Sequence, residues 1–304
     1  QADAVRDRLI AAHVNSGSPD RAQDVIRAAI VINPDSPQWR EKLGMFLEDE
    51  GDVKGASQAY TEAFELYPSQ GLLLRLSDAT RSAEPWDHEG ILKMIQKHQR
   101  LLEKDAILQS IHAKSLARLG AEAQSRSRIR QAKDTFDRQI ALQLLPRATL
   151  RRWYEDLQIV FANDDPAAGE AFALDLIEGE PSLDDLAGLA IYWSRWASPD
   201  AWEKALAYQK QAVEKARAES PELLLASLSM LGSMELTAGD ENEAAGTFKE
   251  IVDLTPNDAM ALNNYAYLLA TRLDQPAEAM PYAEQAIRLS PENSSIIDTV
   301  ATIH

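Results

Sequence analysis

The 304-residue sequence contains no cysteine. Disulfides, thiolate metal sites and cysteine nucleophiles are excluded together, although this does not fix a compartment. No stretch approaches the roughly 18 apolar residues needed to span a bilayer, and no signal peptide is visible. Runs of alternating β-branched residues bounded by turns are missing, so strands are not expected. A Gly-rich phosphate loop, a GxSxG elbow, an HExxH motif and a plausible pair of catalytic carboxylates are missing too. The five histidines (His13, His88, His98, His112 and His304) form no His-x3-His pair. Neither metal, cofactor nor catalysis is expected from such a chain. What fills the sequence is Ala, Leu, Glu, Gln and Arg, all strong helix formers.

Two segments repeat one pattern. Residues 42–68 read KLGMFLEDEGDVKGASQAYTEAFELYP, and residues 230–256 read MLGSMELTAGDENEAAGTFKEIVDLTP. Both place Leu-Gly near the start, Gly-Asp eight residues after the Leu, then Ala, an aromatic and Pro at the same offsets. Self-similarity of this kind signals a repeat architecture.

The pattern resembles the tetratricopeptide repeat, a helix–turn–helix unit of 34 residues. Counting from Pro37, Leu43 and Gly44 fall at positions seven and eight, Gly51 at fifteen, Ala56 at twenty, Tyr60 at twenty-four, Ala63 at twenty-seven and Pro68 at thirty-two. Leu231, Gly232, Gly239, Ala244, Phe248, Ile251 and Pro256 occupy the same slots in the second unit. Small residues at eight and twenty let two antiparallel helices approach, and Leu and the aromatic fill the seam. Gly51 and Gly239 end the first helix where a left-handed backbone favours glycine, and the prolines close the second.

The resemblance implies an all-α solenoid, a right-handed superhelix of tandem antiparallel helix pairs. About eight pairs are predicted, at approximately 3–36, 37–70, 71–104, 105–146, 147–180, 181–221, 222–258 and 259–292, with one inserted residue near Asp274. Residues 293–304 read as the truncated first helix of a ninth unit, and the chain begins with Gln1, so a fragment of a larger protein is expected. The units at 71–104 and 147–180 keep helical spacing but few signature residues. Pro85 and Trp86, and the Asn163-Asp164-Asp165-Pro166 turn, either bend the stack there or reflect drift.

The net charge is −17 and uneven. From Lys114 to Arg152 ten basic residues face three acids, a local charge of +7 that leaves −24 for the remainder. Alternate arginines such as Arg126, Arg128 and Arg130 point to different sides of a helix. They form either a receiver for acidic groups or a solvated face. Nucleic acid is disfavoured by the overall sign. Of the six tryptophans, Trp193 and Trp196 fall at seam positions and Trp39 near a position where the family favours Trp, so packing is expected of them.

In the family, first-helix positions of about two, five, nine and twelve to thirteen line a concave groove that holds a peptide or partner helix. Those positions here include Lys114 and Arg118, then Arg151, Tyr154 and Gln158, then Ser233, and finally Asn263 and Tyr267. These eight are the candidate partner-binding residues, against the alternative that they are ordinary solvated side chains. A Lys/Asn clamp for a C-terminal carboxylate is incomplete: Asp7 and Ala11, and Ser229 and Ser233, stand at its positions, although Asn264 fits the last one.

The implied function is a non-catalytic scaffold that binds a protein or peptide. The alternative is a regulatory or oligomerisation domain whose active module lies outside these residues. Self-association is a further possibility. The run ALNNYAYLLATR and its continuation to residue 304 resemble bacterial repeat proteins of envelope and export systems. That leaves the cytoplasm and, given a leader, the periplasm both open.

Overall fold

The computed structural model describes residues 2–79, 88–98 and 105–303. All regular structure among them is helical. The junction around Pro85 and Trp86 lies outside the described residues.

The contacts divide the chain into two compact units, residues 1–163 and 164–304. The first holds α1 (Ala2–Asn15), α2 (Pro19–Ile32), α3 (Pro37–Asp49), α4 (Val53–Leu66), α5 (Gln70–Ala79), α6 (His88–Lys97), α7 (Ala106–Arg118), α8 (Glu122–Ala141) and α9 (Leu150–Val160). The second holds α10 (Pro166–Asp175), α11 (Leu183–Ser194), α12 (Pro199–Glu219), α13 (Leu224–Ala238), α14 (Glu241–Leu254), α15 (Ala259–Thr271), α16 (Pro276–Leu289) and α17 (Ser294–Ile303). In unit 1, α1 pairs with α2, α3 with α4 and α7 with α8; in unit 2, α11 pairs with α12, α13 with α14 and α15 with α16. Links of two to four residues join each pair, which turns the second helix back antiparallel to the first.

The helices form because their apolar residues recur on one face. On α4 the buried set is Ala56, Ala59, Tyr60, Ala63 and Phe64, a stripe of i, i+3, i+4, i+7 and i+8. Asp52 caps α4 by accepting from Gly55 N at 2.9 Å. Proline at the first turn starts α2, α3, α10, α12 and α16, where its missing N–H is no loss. Gly51 and Gly239 turn the chain with φ of +80° and +86°. In the pair with the inserted residue, the left-handed position falls to Asp274, with φ of +54°.

The seams are as tight as the small residues imply. A Cβ on Gly44 would lie 2.5 Å from the Tyr60 ring, and one on Gly232 would lie 3.0 Å from Phe248. Trp39, Trp153 and Trp193 are buried, and the Trp153 indole donates to the Ile129 carbonyl at 2.8 Å.

Among the described residues, no helix is long and apolar enough to cross a membrane. No group of three or more His, Cys, Asp or Glu is placed to hold a metal among them either.

Candidate functional site: an uncharged face on an acidic unit

The division of charge follows the division of the fold. Unit 1 carries 23 acids and 23 bases, and unit 2 carries 25 acids and 8 bases, so the whole net charge of −17 belongs to residues 164–304. Two helices of that acidic unit nevertheless show solvent no charge at all. The exposed residues of α13 are Leu225, Ala226, Ser229, Ser233, Leu236 and Thr237; those of α15 are Met260, Asn264, Tyr267 and Thr271. The one carboxylate on these helices, Glu235, is buried.

The hydroxyls on this face are occupied. Ser229 Oγ donates to Leu225 O, Ser233 Oγ to Ser229 O, Thr237 Oγ1 to Ser233 O and Thr271 Oγ1 to Tyr267 O, all at 2.7–2.9 Å. Bonding four residues back turns the hydroxyls along the helix. What remains outward is the Asn264 amide, Ala226 and four large apolar side chains, Leu225, Leu236, Met260 and Tyr267, each more than a third exposed. Helix α17 packs on α15 and adds Ile297, also exposed, while Asn293 Nδ2 lies 3.6 Å from the Met260 sulfur. Charge returns only near the helix ends, with Asp258 and Glu292 on one side and Asp240, Arg272 and Asp274 on the other, and at Asp298 on α17.

Glu235 ties this face to the rest of the unit. Thr247 Oγ1 on α14 donates to it at 2.7 Å, and Lys210 Nζ on α12 stands 3.8 Å away. Burial raises its pKa above the usual carboxylate value; the Thr247 bond and Lys210 pull the other way without cancelling the shift. Asn263, one turn before Tyr267, is buried, and its side-chain carbonyl has no partner.

The eight residues singled out in the sequence therefore have different surroundings. Ser233 and Tyr267 are exposed on the uncharged face, with Asn263 beneath it. In unit 1, Arg118 and Arg151 are exposed and Gln158 is half-buried. Lys114 and Tyr154 are interior. Lys114 lies on α7, whose residues 106–115 are all buried because α5, α6, α8 and α9 surround it, and Tyr154 lies on α9, which packs on α7 and α8. Lys114 Nζ lies 3.4 Å from the Asp156 carboxylate, which also accepts from Ser110 Oγ at 2.8 Å. His112, on the same helix, has its pKa pushed down to about 4 by burial first and by Arg128 second.

The basic stretch is likewise split. Lys133 turns inward to Asp137 at 2.8 Å and over the Trp153 ring, while Arg126 lies over the Phe161 ring. Arg130, Arg138, Arg147 and Arg151 face solvent. The uncharged face itself was readable as a lack of charge in first helices such as AMALNNYAYLLAT, residues 259–271, only once their exposed sides were known.

A stack of antiparallel helix pairs with small residues at the seams defines a helical repeat protein. The matching family is the tetratricopeptide repeat: a model described as "Tetratricopeptide repeat" matches residues 9–70 and 229–294, and those two stretches are tetratricopeptide repeats. Such proteins are generally non-catalytic scaffolds for protein–protein interaction. No curated protein matches the sequence. Solved structures similar to it include the APC/C hetero-tetramer Cut9-Hcn1, at 13% identity over 97% of this chain and 48% of that one, with a TM-score of 0.36. YrrB, "a TPR protein with an unusual peptide-binding site", is 13% identical over 90% of this chain and 96% of that one, with a TM-score of 0.32. The P58(IPK) TPR domain is 14% identical over 97% and 85%, with a TM-score of 0.31. The chain spans about half the length of the Cut9-Hcn1 chain it matches.

Proposed function

We propose that this chain is a scaffold whose second unit receives a protein segment on the uncharged face of α13, α15 and α17. The observation that carries the reading is the absence of charge from the exposed sides of α13 and α15 in a unit of net charge −17. Acidic repulsion keeps such a unit apart from other acidic surfaces, and an uncharged window within it selects for apolar contact. The fitting ligand is a segment with an apolar middle and basic ends. Leu225, Ser233, Met260, Tyr267 and Ile297 would meet the middle, and Asp240, Asp258 and Glu292 the ends. Arg118, Arg151 and Gln158 would belong to a separate contact on unit 1.

Panning a random peptide library displayed on phage against the chain tests this, beside a variant carrying Met260→Glu and Tyr267→Glu. Enriched sequences with apolar centres and Lys or Arg flanks, lost on the variant, are expected. Enrichment of acidic peptides, or equal capture by the variant, would overturn the reading.

A further inference from the structure

The end of α8 is built to display two leucines. Helix α8 runs 20 residues, against 14 for α2 and α4, so it is about 9 Å longer than they are. Its last turn closes with Leu144 N–H bonding to Gln139 O at 2.8 Å and Gln143 N–H to Ile140 O at 2.9 Å. Gln143 takes the left-handed position with φ of +57°, where glycine usually stands. In this closure the residue at Leu144 ordinarily packs on the one at Gln139. Here that position is polar, and Leu142 and Leu144 are 70% and 67% exposed. The backbone is fixed and the apolar side chains are left over.

Other second helices also end on exposed apolar residues, such as Ile32 and Tyr67. Their neighbours include acids: Asp35 near the first, Glu62 and Glu65 near the second. At the α8 end the acids at comparable distance are engaged: Asp137 pairs with Lys133 at 2.8 Å, and Asp105, beside Gln139 through the Ala106 N–H, caps α7 by accepting from Leu108 N. Between Asp137 and Glu155 there are four arginines and no acid. Arg138 donates to the Asp134 carbonyl and the Thr135 hydroxyl, both neutral, and Arg147 and Arg151 are exposed. Apolar tip and basic rim are the inverse of the uncharged, acid-rimmed face on α13 and α15.

We infer that the Leu142–Leu144 turn of one copy of this chain seats on the α13–α15 face of a second copy. The inference rests on that face being a docking surface, as proposed above. The chain supplies both halves of the contact, and the joining is head to tail. A neutral unit then meets an acidic one, whereas a symmetric contact through α13 and α15 would set two units of −17 against each other. Such a heterologous contact leaves one tip and one face open on every dimer, so it permits further copies to add as a ring or an open chain.

Sedimentation velocity of the full chain tests the inference with two variants: one with Leu142→Ser and Leu144→Ser, and one with Met260→Glu and Tyr267→Glu. All four side chains are exposed, and circular dichroism checks that the fold is kept. The unaltered chain should self-associate with rising concentration, and each variant alone should do so about tenfold more weakly or less. An equal mixture of the two variants retains one intact tip and one intact face, and should form a dimer that grows no further. A monomeric unaltered chain, undiminished association of the Leu142/Leu144 variant, or a mixture without dimer would each overturn the contact. If peptides still select the face while self-association fails, the docking surface stands and only the second copy is excluded.

Discussion

The phenol of Tyr208 on α12 donates to the Glu170 carboxylate on α10 at 2.6 Å. The same carboxylate accepts from the Trp193 indole on α11 at 3.2 Å and from Lys204 at 3.0 Å, whose ammonium lies 4.1 Å from the Trp193 ring centre. One acid thus fastens three successive helices of unit 2. Burial works to raise the Glu170 pKa, but the bonds from Tyr208 and Lys204 outweigh it and the net shift is downward. Tyr208→Phe keeps the packing and removes one charge-assisted bond, so a loss of about 1–2 kcal/mol is expected in denaturant unfolding.

The Glu170 shift has a pH consequence. A depressed folded pKa contributes stability above the unfolded value, about 4.3 for glutamate, and that contribution is lost as pH falls through the folded value. Glu170→Gln should flatten the acid side of the stability–pH curve measured by thermal melts. An unchanged acid limb would show that the carboxylate is not selectively held as an anion.

Glu235 shifts the opposite way and has the opposite sign. Its raised folded pKa contributes stability that is fully present below the unfolded value and lost as pH rises through the folded one. Glu235→Gln keeps an acceptor for Thr247 and removes the buried charge. The melting temperature of Glu235→Gln should therefore gain on the unaltered chain as pH rises from about 4 toward 7. A difference that shrank over this range would contradict the assignment.

Gly44 and Gly232 occupy equivalent slots with unequal clearance. Alanine at either gains about 1 kcal/mol of helix propensity. At Gly44 the new methyl meets the fully buried Tyr60 ring at 2.5 Å, and overpacking of that kind costs about 1–3 kcal/mol. At Gly232 the contact is 3.0 Å, to a Phe248 that is only half-buried. Gly44→Ala should be destabilising and Gly232→Ala close to neutral, compared by urea midpoint at equal slope.

Asp274 holds a left-handed backbone without the freedom of glycine. Asp274→Gly should raise stability by about 0.5–1 kcal/mol, since an L side chain is strained there. A lower melting temperature would mean that the carboxylate contributes more locally than the backbone strain takes away.

Much of the fold was legible because its determinants are local. The small residues at 44 and 232 and the aromatics at 60 and 248 are fixed by sequence spacing, and they meet across the seam as that spacing implies. Gly51 and Gly239 announce their turns for the same reason. Which first-helix residues reach solvent was less legible. Lys114 and Tyr154 stand at groove positions of the repeat yet are buried, because α7 is enclosed by four helices, including two from a unit with few signature residues, and α9, which carries Tyr154, packs on α7 and α8. A register counts along one helix; burial depends on what packs against it. The Leu142–Leu144 turn was missed because Gln143 gives no sequence sign of a left-handed backbone.

The back-bonded hydroxyls of Ser229, Ser233, Thr237 and Thr271 have a further consequence. Hydroxyl donors already engaged are not available to first-layer water, so a segment docking as proposed would displace hydration from this face at little enthalpic expense. The same feature leaves few directional bonds to check a ligand's identity. If the proposed segment binds here, selection would pass to the fit of apolar side chains and to the rim carboxylates, a combination that would tolerate variation in the sequence being bound and set discrimination by charge at the two ends.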